Sequence, residues 1–194
     1  MAFSLRKTCA HALLGAVLLT VPAAAQQSVD LFDQDGYRSA RFRAPIRIDP
    51  APAVHIAPSV ALTLDPARDA LFIDVMPVEG GVRDPRTGQW RLSQDHLTIP
   101  GSQWHPETGR APVDKHLWQG LERAISVARN RKPRLPVVIY CRADCWMSWN
   151  VARRLAKSGM KNIWWFAEGT DGWHGAGRQL IAARPVTIKG KNNH

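Results

Sequence analysis

Two cysteines, Cys141 and Cys145, stand four residues apart in "VVIYCRADCWMSWNVARRLAKSG" (137–159). The third, Cys9, lies in an N-terminal stretch that reads as cleavable. Cys141 closes an apolar run and directly precedes a helical pattern. A thiol there faces the N–H groups and the positive dipole end of the next helix, which stabilise a thiolate. Such positions lower a thiol pKa from about 8.5 to roughly 3.5–7.5. Arg142 adds positive charge in the same sense. Cys141 is therefore the candidate attacking thiolate and Cys145 the candidate resolving thiol. The backbone N–H groups of 142–147 form a candidate anion cradle. Arg142, Ala143, Asp144, Trp146, Met147 and Ser148 are accordingly the candidate substrate-binding residues. The plainer alternative is an inert strand-end cysteine.

Other chemistries fit less well. A phosphatase loop needs arginine six residues after the nucleophile, where Met147 stands. Covalent haem attachment needs C-x-x-C-H. A soft metal is a stronger competitor. Two thiolates with an imidazole from His105 or His174 suit Cu(I) or zinc, although no close histidine spacing supports them. No metal-ligand set is assigned, and a redox cofactor or copper or zinc could be held at Cys141 and Cys145. Trp146, Trp149 and Trp104 could wall in a flat cofactor, but core packing is the plainer use of buried aromatics. Asp74 reads as support beneath the loop.

These residues need elements to hold them. "ALFIDVM" (70–76), "HLTIPG" (96–101), "VVIYC" (137–141) and "NIWWFA" (162–167) read as strands. "DKHLWQGLERAISVARN" (114–130) reads as an amphipathic helix capped by Asp114. "MSWNVARRLAKSG" (147–159) reads as a second helix stopped by Gly159. "GTDGWHGAGRQLIAA" (169–183) reads as a turn continuing into a short helix. Strands alternating with helices predict a parallel α/β sheet, with sites at the carboxyl ends of its strands. The stretch 77–95 has no clear element and reads as a loop bordering a site. Residues 26–58 carry many prolines and weak periodicity. They read as an irregular extension, anchored by Phe32, Tyr37, Phe42, Ile46 and Ile48.

Residues 1–25 read as a secretory signal peptide. Arg6 and Lys7 precede an apolar stretch that ends in the small residues Ala23 to Ala25. That stretch is shorter than the roughly 20 residues of a spanning helix. The mature chain is thus expected to be periplasmic, with no membrane span after cleavage. The formal charge is +10 over 194 residues, and removing 1–25 leaves +8. Basic residues are dispersed rather than blocked, and no nucleic-acid motif accompanies them. An apolar content of 45% makes global disorder untenable.

The motifs together resemble a rhodanese-like domain. "LFIDVM" (71–76) resembles the early strand ending in an aspartate. "HLTIPGS" (96–102) resembles the H-I-P-G-A segment, and "VVIYCRADCW" (137–146) the strand and active-site loop. "FAEGTDGWHGAG" (166–177) resembles the L-x-G-G-x-x-A-W-x-x-A-G segment, with Trp173 matching. More narrowly, "GYR" (36–38), "FRAPI" (42–46) and the C-x-x-x-C-W core resemble the PQQ-dependent catabolism-associated CXXCW motif proteins. The resemblance implies a three-layer rhodanese-like fold over 59–186, with a central parallel sheet of about five strands flanked by helices. A basic tail at 187–194 follows. It also implies an exported accessory role in PQQ-dependent alcohol oxidation, with a quinoprotein dehydrogenase or other exported redox protein as partner. The loop departs from a sulfurtransferase's C-R-x-G-x-R in three ways. Trp146 replaces the anion-binding arginine, Asp144 replaces glycine, and Cys145 is added. A persulfide on Cys141 would be attacked by Cys145, expelling sulfide and leaving a disulfide. A dithiol/disulfide couple is thus the leading reading. A copper- or zinc-binding accessory protein and a thiosulfate-type sulfurtransferase using Cys141 are the alternatives.

Overall fold

A computed structural model describes residues 31–66 and 68–188. The signal-peptide reading of 1–25 and most of the tail at 187–194 lie outside the described residues. In chain order the elements are β1 (Val54–His55), α1 (Pro58–Ala61), β2 (Leu71–Asp74), β3 (Val82–Arg83) and β4 (Trp90–Arg91). Then come β5 (His96–Thr98), β6 (Gln103–Trp104), α2 (Lys115–Arg131), β7 (Val137–Tyr140) and α3 (Trp146–Lys157). β8 (Ile163–Phe166), α4 (Gly169–Gly175) and β9 (Ile181–Ala183) complete the set.

Five strands form one parallel sheet in the order β1-β8-β7-β2-β6. All of β2 and β7 is buried, as expected of strands covered on both faces. Alternation along the strands sorts their side chains into two cores. Leu71, Ile73, Val137, Ile139, Ile163 and Trp165 meet Leu121 and Ile125 of α2 and Val151 and Leu155 of α3. Phe72, Val138, Tyr140 and Phe166 face the other way, against Ala61 of α1 and Trp173 of α4. The result is the three-layer α/β architecture that the strand–helix alternation implies, a five-stranded parallel sheet flanked by helices.

Local signals act where the sequence places them. Asp114 caps α2, its carboxylate accepting from the N–H groups of His116 and Leu117. Gly159 follows the last turn of α3 at φ +93°, a conformation open to glycine because it lacks a Cβ.

Four expectations are corrected. The 96–101 strand stays outside the parallel sheet. β5 pairs antiparallel with β9, and the strand that joins the sheet on that side is β6, after the Pro100–Gly101 turn. The 169–183 segment is not a turn followed by a helix. α4 begins at Gly169, and the segment's end, "IAA", is β9. The pairing with β5 overrides its helical composition. The 77–95 stretch carries the small hairpin β3–β4. The 26–58 region supplies more than an extension, since β1 lies within it and forms a sheet edge. At the other end, Ile188 is buried against Gly120, where a Cβ would collide with its side chain.

Candidate functional site

In-register pairing sets Trp104, Asp74, Tyr140 and Phe166 side by side at the carboxyl ends of four adjacent strands. Cys141 follows Tyr140 at the centre of that row. Cys145 is the N-cap residue of α3. The chain curls between them through Asp144, at φ +55°, a left-handed conformation that Asp tolerates better than most residues. Asp144 thus adopts the backbone for which glycine would be the usual choice. The curl brings the two Cα atoms to 6.1 Å, and Cys141 and Cys145 are joined in a disulfide. That separation lies inside the range of about 4.4–6.8 Å that a disulfide requires. Both residues are buried, at 0% and 2% exposure.

The N-terminal extension covers one side of this loop. Trp146 N–H donates to Phe42 O at 2.8 Å, and Ala44 N–H to Asp144 O at 3.0 Å. Arg43 pairs with Cys145 in a short antiparallel bridge, and its guanidinium donates to Ala143 O. The buried Arg38 guanidinium lies 4.8 Å from the centre of the Trp146 ring and 5.3 Å from that of Phe32. It donates to the carbonyls of Ala40 and Arg41, and burial lowers its pKa. Asn150 on α3 fixes the same segment. Its amide accepts from Arg38 N–H and donates to the carbonyls of Arg38 and Gly109.

Met76 covers the other side, its Sδ 3.3 Å from Cys141 Sγ. Asp74 aims this strand end. Its carboxylate accepts from Met76 N–H at 2.8 Å, from the Thr98 hydroxyl at 2.7 Å, and contacts His96 Nε2 at 2.7 Å. The Tyr140 hydroxyl meets Thr98 Oγ1 at 2.7 Å. Burial first, and then the Asp74 charge, hold the Tyr140 hydroxyl well above its usual pKa, so it remains a donor. Trp104 donates its indole N–H to Met76 O and lies 4.0 Å, centre to centre, from the His96 ring. Asp74 and Trp104 therefore hold the backbone of Met76, one through its N–H and the other through its carbonyl.

Beyond Met76 opens a cavity of about 300 Å³. Its lining carries three carboxylates, Glu79, Asp95 and Asp171, against one guanidinium, Arg142. Arg142 is paired with Glu79 at 3.2 Å. The cavity is thus acidic within a chain of formal charge +10. Asp171 also occupies part of the expected anion cradle, its Oδ2 accepting from Ala143 N–H at 3.1 Å. Trp146 N–H is taken by Phe42 O. Two of the six N–H groups of 142–147 are therefore committed to acceptors within the protein, a correction to the open cradle the sequence implies.

The predicted substrate-binding residues separate into three places. Arg142 lines the acidic cavity. Ala143 and Asp144 line a second cavity of about 340 Å³, beside Asp49 and His55. Trp146, Met147 and Ser148 are buried in the core. The Ser148 hydroxyl donates to Cys145 O and accepts from the Trp165 indole N–H. Trp146 lies edge-on to Phe32, and Trp149 donates to Ile48 O, so the aromatic wall is packing against the extension. The two histidines raised as third metal ligands do not join the sulfurs. His105 is buried beside Asp74 O and Gln103, and burial lowers its pKa to about 4. His174 lies exposed near the end of α4. Among the described residues no three of His, Cys, Asp and Glu cluster closely enough to share a metal ion. Sequence reasoning missed Met76, Asp171, Arg38 and Asn150. Three of them stood inside quoted motifs with no role assigned, Met76 in "LFIDVM", Arg38 in "GYR" and Asp171 in "FAEGTDGWHGAG".

No family model matches the sequence, and no curated protein does. Among solved structures, the chain is similar to a thiosulfate sulfurtransferase from Pseudomonas aeruginosa. The identity is 20%, over 69% of this chain and 21% of that one, with a TM-score of 0.42. It is also similar to the 30 kDa polysulfide-sulfur transferase homodimer from Wolinella succinogenes. There the identity is 18%, over 73% of this chain and 82% of that one, with a TM-score of 0.39. The chain thus spans about one fifth of the Pseudomonas protein. Among the described residues no helix is long and apolar enough to cross a membrane.

Proposed function

We propose that this is an exported, rhodanese-like thiol–disulfide protein whose working group is the Cys141–Cys145 pair. The supporting observation is the closed pair itself, at the central strand end and the start of α3. In the reduced state Cys141 is the attacking thiolate. It displaces a sulfur of a partner disulfide to form a mixed disulfide. Cys145 then attacks Cys141 Sγ, releases the partner's thiolate and restores the internal bond. The helix N-terminus stabilises the thiolate in each half-reaction. In line with the motif resemblance, the role is periplasmic and accessory to PQQ-dependent alcohol oxidation, with an exported redox protein or quinoprotein dehydrogenase as partner.

Sulfur transfer through Cys141 is the second reading. It is favoured by the position of Cys141 at the strand end ahead of a helix N-terminus, where a persulfide anion would also be stabilised. The redox reading takes precedence because Cys145 is already bonded to Cys141 and Asp171 holds an N–H that an anionic sulfur donor would need.

Mass spectrometry after reduction and thiosulfate treatment separates the two. The expected product is a disulfide, about 2 Da lighter than the dithiol, with sulfide released. A stable adduct about 32 Da heavier, with Cys145 free, would sink the redox reading.

A further inference from the structure

The geometry points to a Cu(I) site built from Cys141, Cys145 and Met76, in the reduced protein. It rests on the dithiol reading, because only the opened pair can bind a metal. Met76 Sδ is 3.3 Å from Cys141 Sγ, and Cys145 Sγ is bonded to that same atom. Met76 Sδ and Cys145 Sγ thus both adjoin Cys141 Sγ at the end of β7. Sulfurs around one metal at about 2.3 Å each stand about 4 Å apart. Opening the disulfide frees the two cysteine sulfurs to part, and the Met76–Cys141 pair reaches that spacing by lengthening from 3.3 Å to about 4 Å. Met76 is only partly buried, so it has room to move into the cavity beside it.

The donor set selects the ion. Two thiolates and a thioether are soft ligands that favour Cu(I). Zinc in a structural site takes four nitrogen, oxygen or thiolate ligands. Among the described residues no such cluster of three or more stands together. The electrostatics select a cation too. Glu79, Asp95 and Asp171 line the cavity over Met76, and its one guanidinium is tied to Glu79. Cys145 is the N-cap of α3, so the helix dipole offsets the net negative charge of two thiolates on one Cu(I).

The chemistry balances in two steps. A dithiol reductant gives two electrons and two protons to the disulfide, leaving two thiols and becoming a disulfide itself. Cu(I) then replaces the two thiol protons, with no change of copper oxidation state.

The test uses the full chain carrying Cys9→Ser, so that thiol counting reports only the pair. The protein is reduced anaerobically with a phosphine and titrated with Cu(I) against a chromogenic Cu(I) chelator. Copper-edge X-ray absorption then counts the sulfur scatterers. One Cu(I) per reduced chain, none per oxidised chain, and three sulfurs near 2.3 Å are expected. Met76→Leu keeps the side chain's volume and should bind at least tenfold more weakly, with two sulfurs. Circular dichroism checks that this variant is folded. If the folded protein yields two thiols yet binds no Cu(I), or binds it with two sulfurs and is indifferent to Met76→Leu, the copper site is overturned and the dithiol reading stands. If the folded protein yields no thiols on reduction, both fall.

Discussion

Replacing Asn150 by alanine tests whether the N-terminal extension guards the disulfide. Asn150 is fully buried. It makes three hydrogen bonds of 2.8–2.9 Å, two to the backbone of Arg38 and one to Gly109 O. At a net worth of about 1 kcal/mol each, their loss should lower global stability by about 3 kcal/mol. With a urea m value of about 2 kcal/mol/M, the unfolding midpoint falls by about 1.5 M. Two of the three bonds hold the extension, so its local detachment becomes easier by about 2 kcal/mol. Each 1.4 kcal/mol is a factor of ten, so the open population rises roughly thirtyfold. Cys145 and Trp146 lie directly beneath that segment. A reductant that reaches the bond only through this opening should act faster by the same factor. The assay is thiol release under dithiothreitol in native buffer, wild type against Asn150→Ala, with urea unfolding alongside. A variant whose midpoint falls as expected but whose disulfide is reduced at the wild-type rate refutes the guarding role.

Gly169 has φ +51°, and a Cβ there would lie 2.1 Å from Cys141 O. Gly169→Ala should therefore cost roughly 3 kcal/mol or more, read as a lowered melting temperature, since neither the backbone angle nor the carbonyl can yield cheaply. His105 is buried, and its folded pKa of about 4 lies below its ordinary 6.5. The unfolded chain therefore binds the proton first. The associated stability is fully present above pH 6.5 and is lost as pH falls towards 4, by at most about 3 kcal/mol. His105→Phe should flatten that part of the stability–pH curve in chemical denaturation, and an unchanged slope would exclude His105 as its source. Asp171→Ala frees the Ala143 N–H and removes a carboxylate from the cavity. Thiosulfate should then bind about tenfold more tightly by calorimetry at low salt, the worth of one charge-assisted hydrogen bond. Equal affinity would show that the carboxylate does not hold the cradle against anions.

Much of the scaffold was legible because it rests on local rules. The run "VVIYC" is buried over its whole length, as unbroken apolar character at a strand's length implies. The Asp114 cap and the Gly159 stop work over three or four residues, so the helix ends could be read directly. The pairing of "HLT" with "IAA" could not, because 80-odd residues separate them and neither segment carries a signal for the other. The site divided in the same way. Cys141, Cys145 and the supporting Asp74 stood out by type and position. Met76, Asp171 and Arg38 belong to ordinary residue types whose importance comes from what lies opposite them.

By itself the sequence determined that two thiols occupy the turn between a central strand and a helix, because apolar runs and caps act on neighbours along the chain. Only the tertiary structure decided what surrounds them. The extension folds back over Trp146, Met76 closes on Cys141, and Asp171 reaches the loop from α4. Each of these contacts spans tens of residues in sequence. They depend on how the sheet orders its strands and on which side chains burial then forces together, a quantity no local pattern encodes.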